Sequence, residues 1–134
     1  MDTLDKEKSK LFIRNKLKQL IGKEITIYID RPIGSVHPSH KDIIYEVNYG
    51  YIKEIISMDN EYQDAYLIGI NEIVQEYKGK VIGIIEREND IEDKLVICPI
   101  DKDYNIEEIK EFVNFQEKYF IINIYKWYYK SPLA

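Results

Sequence analysis

Tyr45-Glu46-Val47-Asn48-Tyr49-Gly50-Tyr51-Ile52 and, a short interval later, Asp59-Asn60-Glu61-Tyr62-Gln63-Asp64 decide how this chain is read. The first stretch is rich in aromatic and β-branched residues, and Asn48-Tyr49-Gly50 carries the composition of a turn. It predicts a strand over residues 43–47, a turn, and a strand over 51–56. Downstream, residues 65–70, 81–85 and 95–99 are short apolar runs bounded by polar or turn residues, as expected of strands covered on both faces. Upstream, Ile25, Ile27 and Ile29 alternate with Thr26 and Tyr28, the period of a half-buried strand. Arg31-Pro32 and Gly34-Ser35 end it and open a loop through His37, Pro38, Ser39 and His40.

Helices are expected on either side. Leu4, Leu11, Leu17, Leu20 and Ile21 recur at helical spacing, with Lys6, Lys8, Lys10, Lys16 and Lys18 mostly on the wet side and Gly22 as the stop. Asn105, with Glu108 three residues on, is a capping-box signature for a helix to about Tyr119. Ile122 and Ile124 suit a last strand. The fold class is α+β: a small closed or strongly curled, mainly antiparallel β-barrel with an N-terminal and a C-terminal helix. One domain over residues 1–134 is expected, with the first helix in 1–22, the barrel in 24–100 and the second helix in 105–120.

Composition narrows the functional classes. Hydrophobic content of 45% and charged content of 32% are those of a folded chain, and twelve tyrosines are unusual. The net charge of -5 hides an uneven distribution. Residues 1–23 carry a local balance of +4, and residues 54–117 one of -11. An acidic middle repels phosphate unless cations sit in it, so nucleic acid is not the expected partner and a metal is. Cys98 is the only cysteine; its neighbours Leu95, Val96 and Ile97 mark a buried strand thiol. No apolar run approaches the ~18–20 residues that span a bilayer. With no apolar signal core at the N-terminus, the expected location is the cytoplasm and no membrane partner is foreseen.

Asp59, Glu61 and Asp64 stand at offsets of zero, two and five on a segment between two strands. Carboxylates so spaced can converge on a hard cation, which takes oxygen ligands and retains waters. A second acidic segment holds Glu86, Glu88, Asp90, Glu92 and Asp93, with Lys94 opening the next strand. Two such segments facing each other would repel strongly unless neutralised. Tyr45 and Tyr49 precede the first, and their phenols can donate to phosphoryl oxygens or orient a water. His37 and His40 lack a third ligand nearby in sequence, which favours a loop role over transition-metal binding.

In this order the residues resemble the soluble, barrel-type inorganic pyrophosphatase family. The 45–52 stretch is similar to its tyrosine-asparagine-tyrosine-glycine strand, and the 59–64 stretch to its signature loop D-x-D-P-x-D. Gly83-Ile84-Ile85, then Glu92-Asp93-Lys94-Leu95-Val96 and Pro99, resemble its second acidic loop and following strand. Residues 115–119 are similar to its C-terminal helix, which ends in a substrate-binding tyrosine, and Asp30-Arg31-Pro32-Ile33-Gly34-Ser35 to its early E-I-P-K-G-S. The likeness covers roughly residues 25–120 and implies an OB-like barrel.

It also implies Mg²⁺-dependent hydrolysis of pyrophosphate or a related small phosphoanhydride, with Mn²⁺ as the other candidate cation. Asp59 and Asp64 would bind metal, Asp64 bridging two cations, and Glu61 would help deprotonate the attacking water. Asp90 and either Glu92 or Asp93 would complete the metal sites. Lys94, Tyr45, Tyr49 and Tyr119 would contact phosphate or orient the nucleophile, so that Glu61, Tyr49 and Asp64 form the catalytic set. The family forms homo-oligomers in bacteria, through surfaces that have no match here. Several positions depart from the pattern: Glu61 stands for Asp, Tyr62 for Pro and Phe120 for Lys. The hairpin between Gly34-Ser35 and Tyr45 is missing, with its phosphate-gripping lysine and arginine. His37, His40 and Lys41 in the remaining loop are the candidate replacements, although a partly charged histidine clamps phosphate less well than arginine.

Three readings follow. The first is a compact metal-dependent phosphohydrolase acting on a small phosphate-containing substrate. The second keeps the barrel as a weakened domain that binds metal or a phosphate ligand in a regulatory or interaction role. The third, a nucleic-acid-binding barrel with a basic N-terminal helix, fits the local +4 but not the acidic middle.

Overall fold

The computed structural model describes residues 3–126. The outermost ends of the expected domain and of its first helix, residues 1–2 and 127–134, lie outside them. The element order is α1 (Thr3–Lys18), β1 (Glu24–Arg31), β2 (Asn48–Ile56), β3 (Tyr62–Leu67), β4 (Glu76–Arg87), β5 (Lys94–Cys98), α2 (Ile106–Glu117) and β6 (Ile122–Tyr125).

The strands run in the order β1-β2-β3-β5-β4, and a β1–β4 pairing closes them into a five-stranded barrel, with β6 added along β4. All pairs are antiparallel except β3 and β5, which are parallel with Ala65 opposite Leu95. That pair matters most for the site. Parallel strands share an end, so the acidic segments preceding β3 and β5 are brought side by side.

The apolar runs are explained by burial on both faces. Ala65 and Leu67 on β3, and Leu95 and Ile97 on β5, join Ile25, Ile27, Ile52, Val81 and Ile84 in one cluster. The alternate residues Tyr66, Ile68, Val96 and Cys98 pack with Tyr45, Tyr49, Ile109, Val113 and Phe115 in a second, under α2. Helix α2 opens with the expected capping box: the Glu108 N–H donates to Asn105 Oδ1 at 2.8 Å and the Asn105 N–H to Glu108 Oε1 at 3.0 Å. Cys98 is buried in its strand, and burial pushes its thiol up to about 11, which fits an inert structural cysteine.

Two expectations fail within residues 43–50. Asn48-Tyr49-Gly50 is not a turn; it lies inside β2, with Gly50 paired to Ile29 on one side and Ala65 on the other. Glycine is needed there for close approach, since a Cβ would lie 1.8 Å from the Tyr28 carbonyl oxygen. Residues 43–47 are not a strand either. They form a loop held by a Val36–Ile44 bridge and by backbone hydrogen bonds from Tyr45 N–H to Ser35 O and from Gly34 N–H to Tyr45 O.

The first helix also differs from its expected pattern. Of its apolar positions only Leu17 is buried, while Leu4, Leu11 and Phe12 are exposed. Its basic residues do not all face water: Lys10, Arg14 and Lys18 reach the second acidic segment. Gly22, with φ of 89°, turns the chain into β1.

Candidate active site

Both acidic turns open into one cavity of about 430 Å³ at the shared end of β3 and β5. Asp59 and Asp64 line it from the first, Asp90 and Glu92 from the second. Asp64 stands within β3 rather than in the loop, and the parallel register places it beside Lys94, the first residue of β5. Lys94 Nζ lies 2.8 Å from Asp64 Oδ2 and 3.7 Å from Glu92 Oε1. Gln63 ties the turns at the backbone, its side-chain amide donating to the carbonyls of Asp64 (2.9 Å) and Asp93 (2.6 Å).

The carboxylates pay an electrostatic cost for this proximity. Burial, followed by a hydrogen bond with Asp59, pushes the Glu92 carboxyl up to about 7 against the opposing pull of Lys94. The two turns thus bring the Glu92 carboxyl within hydrogen-bonding reach of Asp59. Among the described residues no three carboxylate, imidazole or thiol side chains form a ready cation cage. The donor set nevertheless fits a hard cation: it is all oxygen, and Mg²⁺ keeps most of its waters and needs only one or two carboxylates.

Several expected site residues lie elsewhere. Glu61 is exposed and outside the cavity lining. Its N–H donates to Asp59 Oδ1 at 2.9 Å, and Asn60 between them has φ of 67°, so the tight turn separates the two side chains. Asp93 faces α1, where Arg14 grips it with Nε to Oδ2 at 2.7 Å and Nη2 to Oδ1 at 2.9 Å, and it accepts the Arg87 N–H at 3.0 Å. Of the alternatives Glu92 and Asp93, Glu92 is the one in the cavity. Lys41 is exposed and does not line it, whereas His37, His40 and the exposed ring of Tyr119 do.

The two tyrosines differ in placement. Tyr49 lines the cavity, and its burial pushes the phenol well above the ordinary range, which keeps it neutral. Tyr45 is buried beneath, its hydroxyl donating to Gln116 Oε1 at 2.7 Å and accepting from Arg31 Nη1 at 2.6 Å.

Two arginines line the cavity that the sequence reading left without a role. Arg87, at the end of β4, sends Nε to Glu117 Oε1 at 2.9 Å and Nη1 to Asp90 Oδ2 at 2.8 Å, and stacks on Phe120 with 3.7 Å to the ring centroid. Burial alone would lower its pKa; the hydrogen bonds and charge of Glu117 reverse this and raise it. The one signal for it is a lone base between Glu86 and Glu88 where an apolar strand ends. Arg31 stands at the end of β1, where Arg31-Pro32 has the composition of a strand terminator.

The fold is that of the inorganic pyrophosphatases. The chain is similar in structure to the inorganic pyrophosphatase from Ehrlichia chaffeensis, with a TM-score of 0.62 and 14% identity over 79% of this chain and 87% of that one. The enzyme from Coxiella burnetii gives 0.56 and 17% identity over 81% and 87%, and that from Helicobacter pylori 0.52 and 16% over 80% and 85%. No family model and no curated protein matches the sequence. The likeness therefore lies in the five-stranded mixed barrel and its helices. No helix among the described residues is long and apolar enough to cross a membrane.

Proposed function

We propose that this protein is a compact cytoplasmic hydrolase of inorganic pyrophosphate or a related small phosphoanhydride, dependent on Mg²⁺ or Mn²⁺. The observation that carries the reading is the meeting of Asp59, Asp64, Asp90 and Glu92 with Lys94 in one cavity of a pyrophosphatase-type barrel. Asp59, Asp64 and Glu92 would hold the cation, which when bound neutralises phosphoryl charge and makes a water acidic enough to attack at neutral pH. Lys94, already poised between Asp64 and Glu92, would turn its ammonium toward a phosphoryl oxygen as a point charge. Tyr49, a neutral phenol, would donate a hydrogen bond, and Tyr119 at the rim would close on the substrate. Burial beside Phe115, Tyr66 and Tyr45 keeps the Tyr49 ring from shifting as charge develops.

Purified protein with Mg²⁺ is expected to release phosphate from pyrophosphate. Asp64→Asn should lower the rate by a factor on the order of 10²–10³, the scale of losing one preorganised electrostatic group. No turnover across a screen of cations and small phosphoanhydrides rejects the reading.

The position of Glu61 favours a second reading. An exposed carboxylate outside the cavity is poorly placed to take a proton from a water inside it, and a domain that binds metal and phosphate without turnover fits that placement. Calorimetric binding of a diphosphonate beside a negative phosphate-release assay would establish it.

A further inference from the structure

The protein has three arginines. Arg14 and Arg87 are committed to carboxylates, as described above. Arg31 differs from both. It lines the cavity, yet among the described residues no carboxylate lies within ion-pair distance of its guanidinium. Its one hydrogen bond goes from Nη1 to the Tyr45 hydroxyl, which leaves most of its donor fork unused.

That side chain is held in place from below. The Tyr45 hydroxyl donates to Gln116 Oε1, Gln116 Nε2 donates to the Tyr66 hydroxyl at 2.6 Å, and Tyr66 donates to Glu117, which Arg87 clamps. Every member between the arginines is buried. The guanidinium also lies over two rings, 5.7 Å from the Tyr45 centroid and 5.3 Å from that of Tyr49. An irregularity in the β1–β2 register between Ile29 and Arg31 re-aims the strand end that carries it. The arginine is rigid without being neutralised.

His37 stands on the same wall. Its ring stacks on Tyr45 at 6.1 Å with an interplanar angle of 11°, and Nδ1 accepts the Ser39 N–H at 3.0 Å. That hydrogen bond assigns the ring proton to Nε2, which makes the free nitrogen a donor. The cavity therefore presents unused donors from Arg31 and His37 beside the ammonium of Lys94, with the Arg31 and Lys94 cations 5.3 and 6.0 Å from the Tyr49 ring centroid, and its carboxylates are Asp42, Asp59, Asp64, Asp90 and Glu92.

We propose that Arg31, held by Tyr45 with His37 stacked on the same ring, is the grip for one phosphoryl group while Lys94 across Tyr49 takes the other, so that the cavity selects ligands with two linked phosphoryl groups over single phosphate. The inference rests on the hydrolase reading for its substrate class but not for its geometry. Arg31 is a binding residue here, and Tyr45 a positioning residue acting through it.

The test is calorimetry with methylenediphosphonate and with inorganic phosphate, each in the presence of Mg²⁺, on the full chain. Arg31→Gln should weaken diphosphonate binding ~10–100-fold, the scale of losing charge-assisted hydrogen bonds, while the binding of Mg²⁺ alone and the Tm stay as in the parent. Tyr45→Phe keeps the ring and frees the arginine, so a loss of a few-fold is expected, seen in KM more than in kcat if turnover is measurable. Should Arg31→Gln lower the Tm, Arg31→Lys carries the same test, with a loss of ~3–10-fold because the charge remains but the fork is gone. Diphosphonate affinity equal to the parent's in the folded variant overturns the proposal. Arg31-dependent binding in a protein that releases no phosphate upholds the grip and rejects hydrolysis. Turnover with KM unchanged in Arg31→Gln rejects the grip and leaves hydrolysis standing.

Discussion

Replacing Arg87 by methionine should expose how the cavity floor is held together. The side chains of Arg87 and Glu117 are 5% and 1% exposed, and the arginine supplies two of the three hydrogen bonds received by that carboxylate. Methionine has a similar stem and can still pack on Phe120, so the change chiefly strands Glu117 with only the Tyr66 hydroxyl for company. Removing one partner of a buried pair costs about 3–5 kcal/mol. The stranded group has one escape, which is to take up a proton. For a glutamic acid that costs about 3–4 kcal/mol at pH 7 and about 1 kcal/mol at pH 5. The penalty is therefore capped near 3–4 kcal/mol at pH 7 and should shrink by about 2–3 kcal/mol at pH 5, because the folded variant then holds a proton that costs little to acquire. Urea unfolding of the parent, Arg87→Met and the double variant with Glu117→Gln, at both pH values, measures this. The double variant should recover most of the loss, since no charge is left unpaired. A loss below about 1 kcal/mol at pH 7, or one that is the same at both pH values, would show that the pair is not the buried, mutually dependent unit described.

Two further outcomes follow from the same geometry. Glu92 is raised from its ordinary 4.5 to about 7, so the folded chain keeps a proton there that the unfolded chain has lost, and its contribution to stability declines as pH rises from 4.5 through 7. Discounted for partial solvation, the effect should be about 1–2 kcal/mol between pH 5 and 8 in chelator-treated protein, and absent from Glu92→Gln; parallel pH profiles for the two would contradict it. Gly50→Ala should cost ~3 kcal/mol or more in denaturant unfolding, because the added methyl meets backbone rather than a movable side chain; a loss under about 1 kcal/mol would mean that β1 and β2 can part.

The sequence is legible where a local pattern has one structural meaning. Of the runs 65–70, 81–85 and 95–99, residues 65–67, 81–85 and 95–98 are strand because both faces are buried, while 68–70 and 99 run past the ends of β3 and β5; Asn105 with Glu108 marks a helix start because the two side chains exchange hydrogen bonds with the same turn. The acidic segments were visible as charge, and their meeting was the natural consequence of lying at strand ends. At Gly50 local composition and structure diverge. A glycine beside an asparagine has turn composition, yet here it marks a strand pressed against its neighbour, and no local signal separates the two cases. Glu61 is a similar case, since an offset of two from Asp59 suggests convergence until Asn60 adopts a left-handed backbone. Arg14, Arg31 and Arg87 were opaque for another reason. Each is defined by a partner, or the lack of one, across tens of residues, and that depends on strand register rather than on neighbours in the chain.

The placement of the bases shows how a surplus of acid is kept usable. Helix α1 works on the outer side of the second acidic segment: Arg14 holds Asp93, Lys18 reaches Glu86 at 3.4 Å, and Lys10 donates to the carbonyls of Arg87 and Asp90. Those contacts cancel the charges that face away from the cavity and fix the segment carrying Asp90 and Glu92. On the inner side neutralisation is only partial, with Lys94 divided between Asp64 and Glu92, and Glu92 leaning on a proton near Asp59. An anion that draws Lys94 toward itself leaves Asp64 without its nearest positive charge, and a carboxylate so exposed attracts a cation more strongly. Binding free energies are reciprocal, so a cation that takes over Asp64 must to the same degree release Lys94 for the anion. Under the proposed function, a cavity built this way would favour cation and phosphate together over either alone, with the coupling running through Lys94.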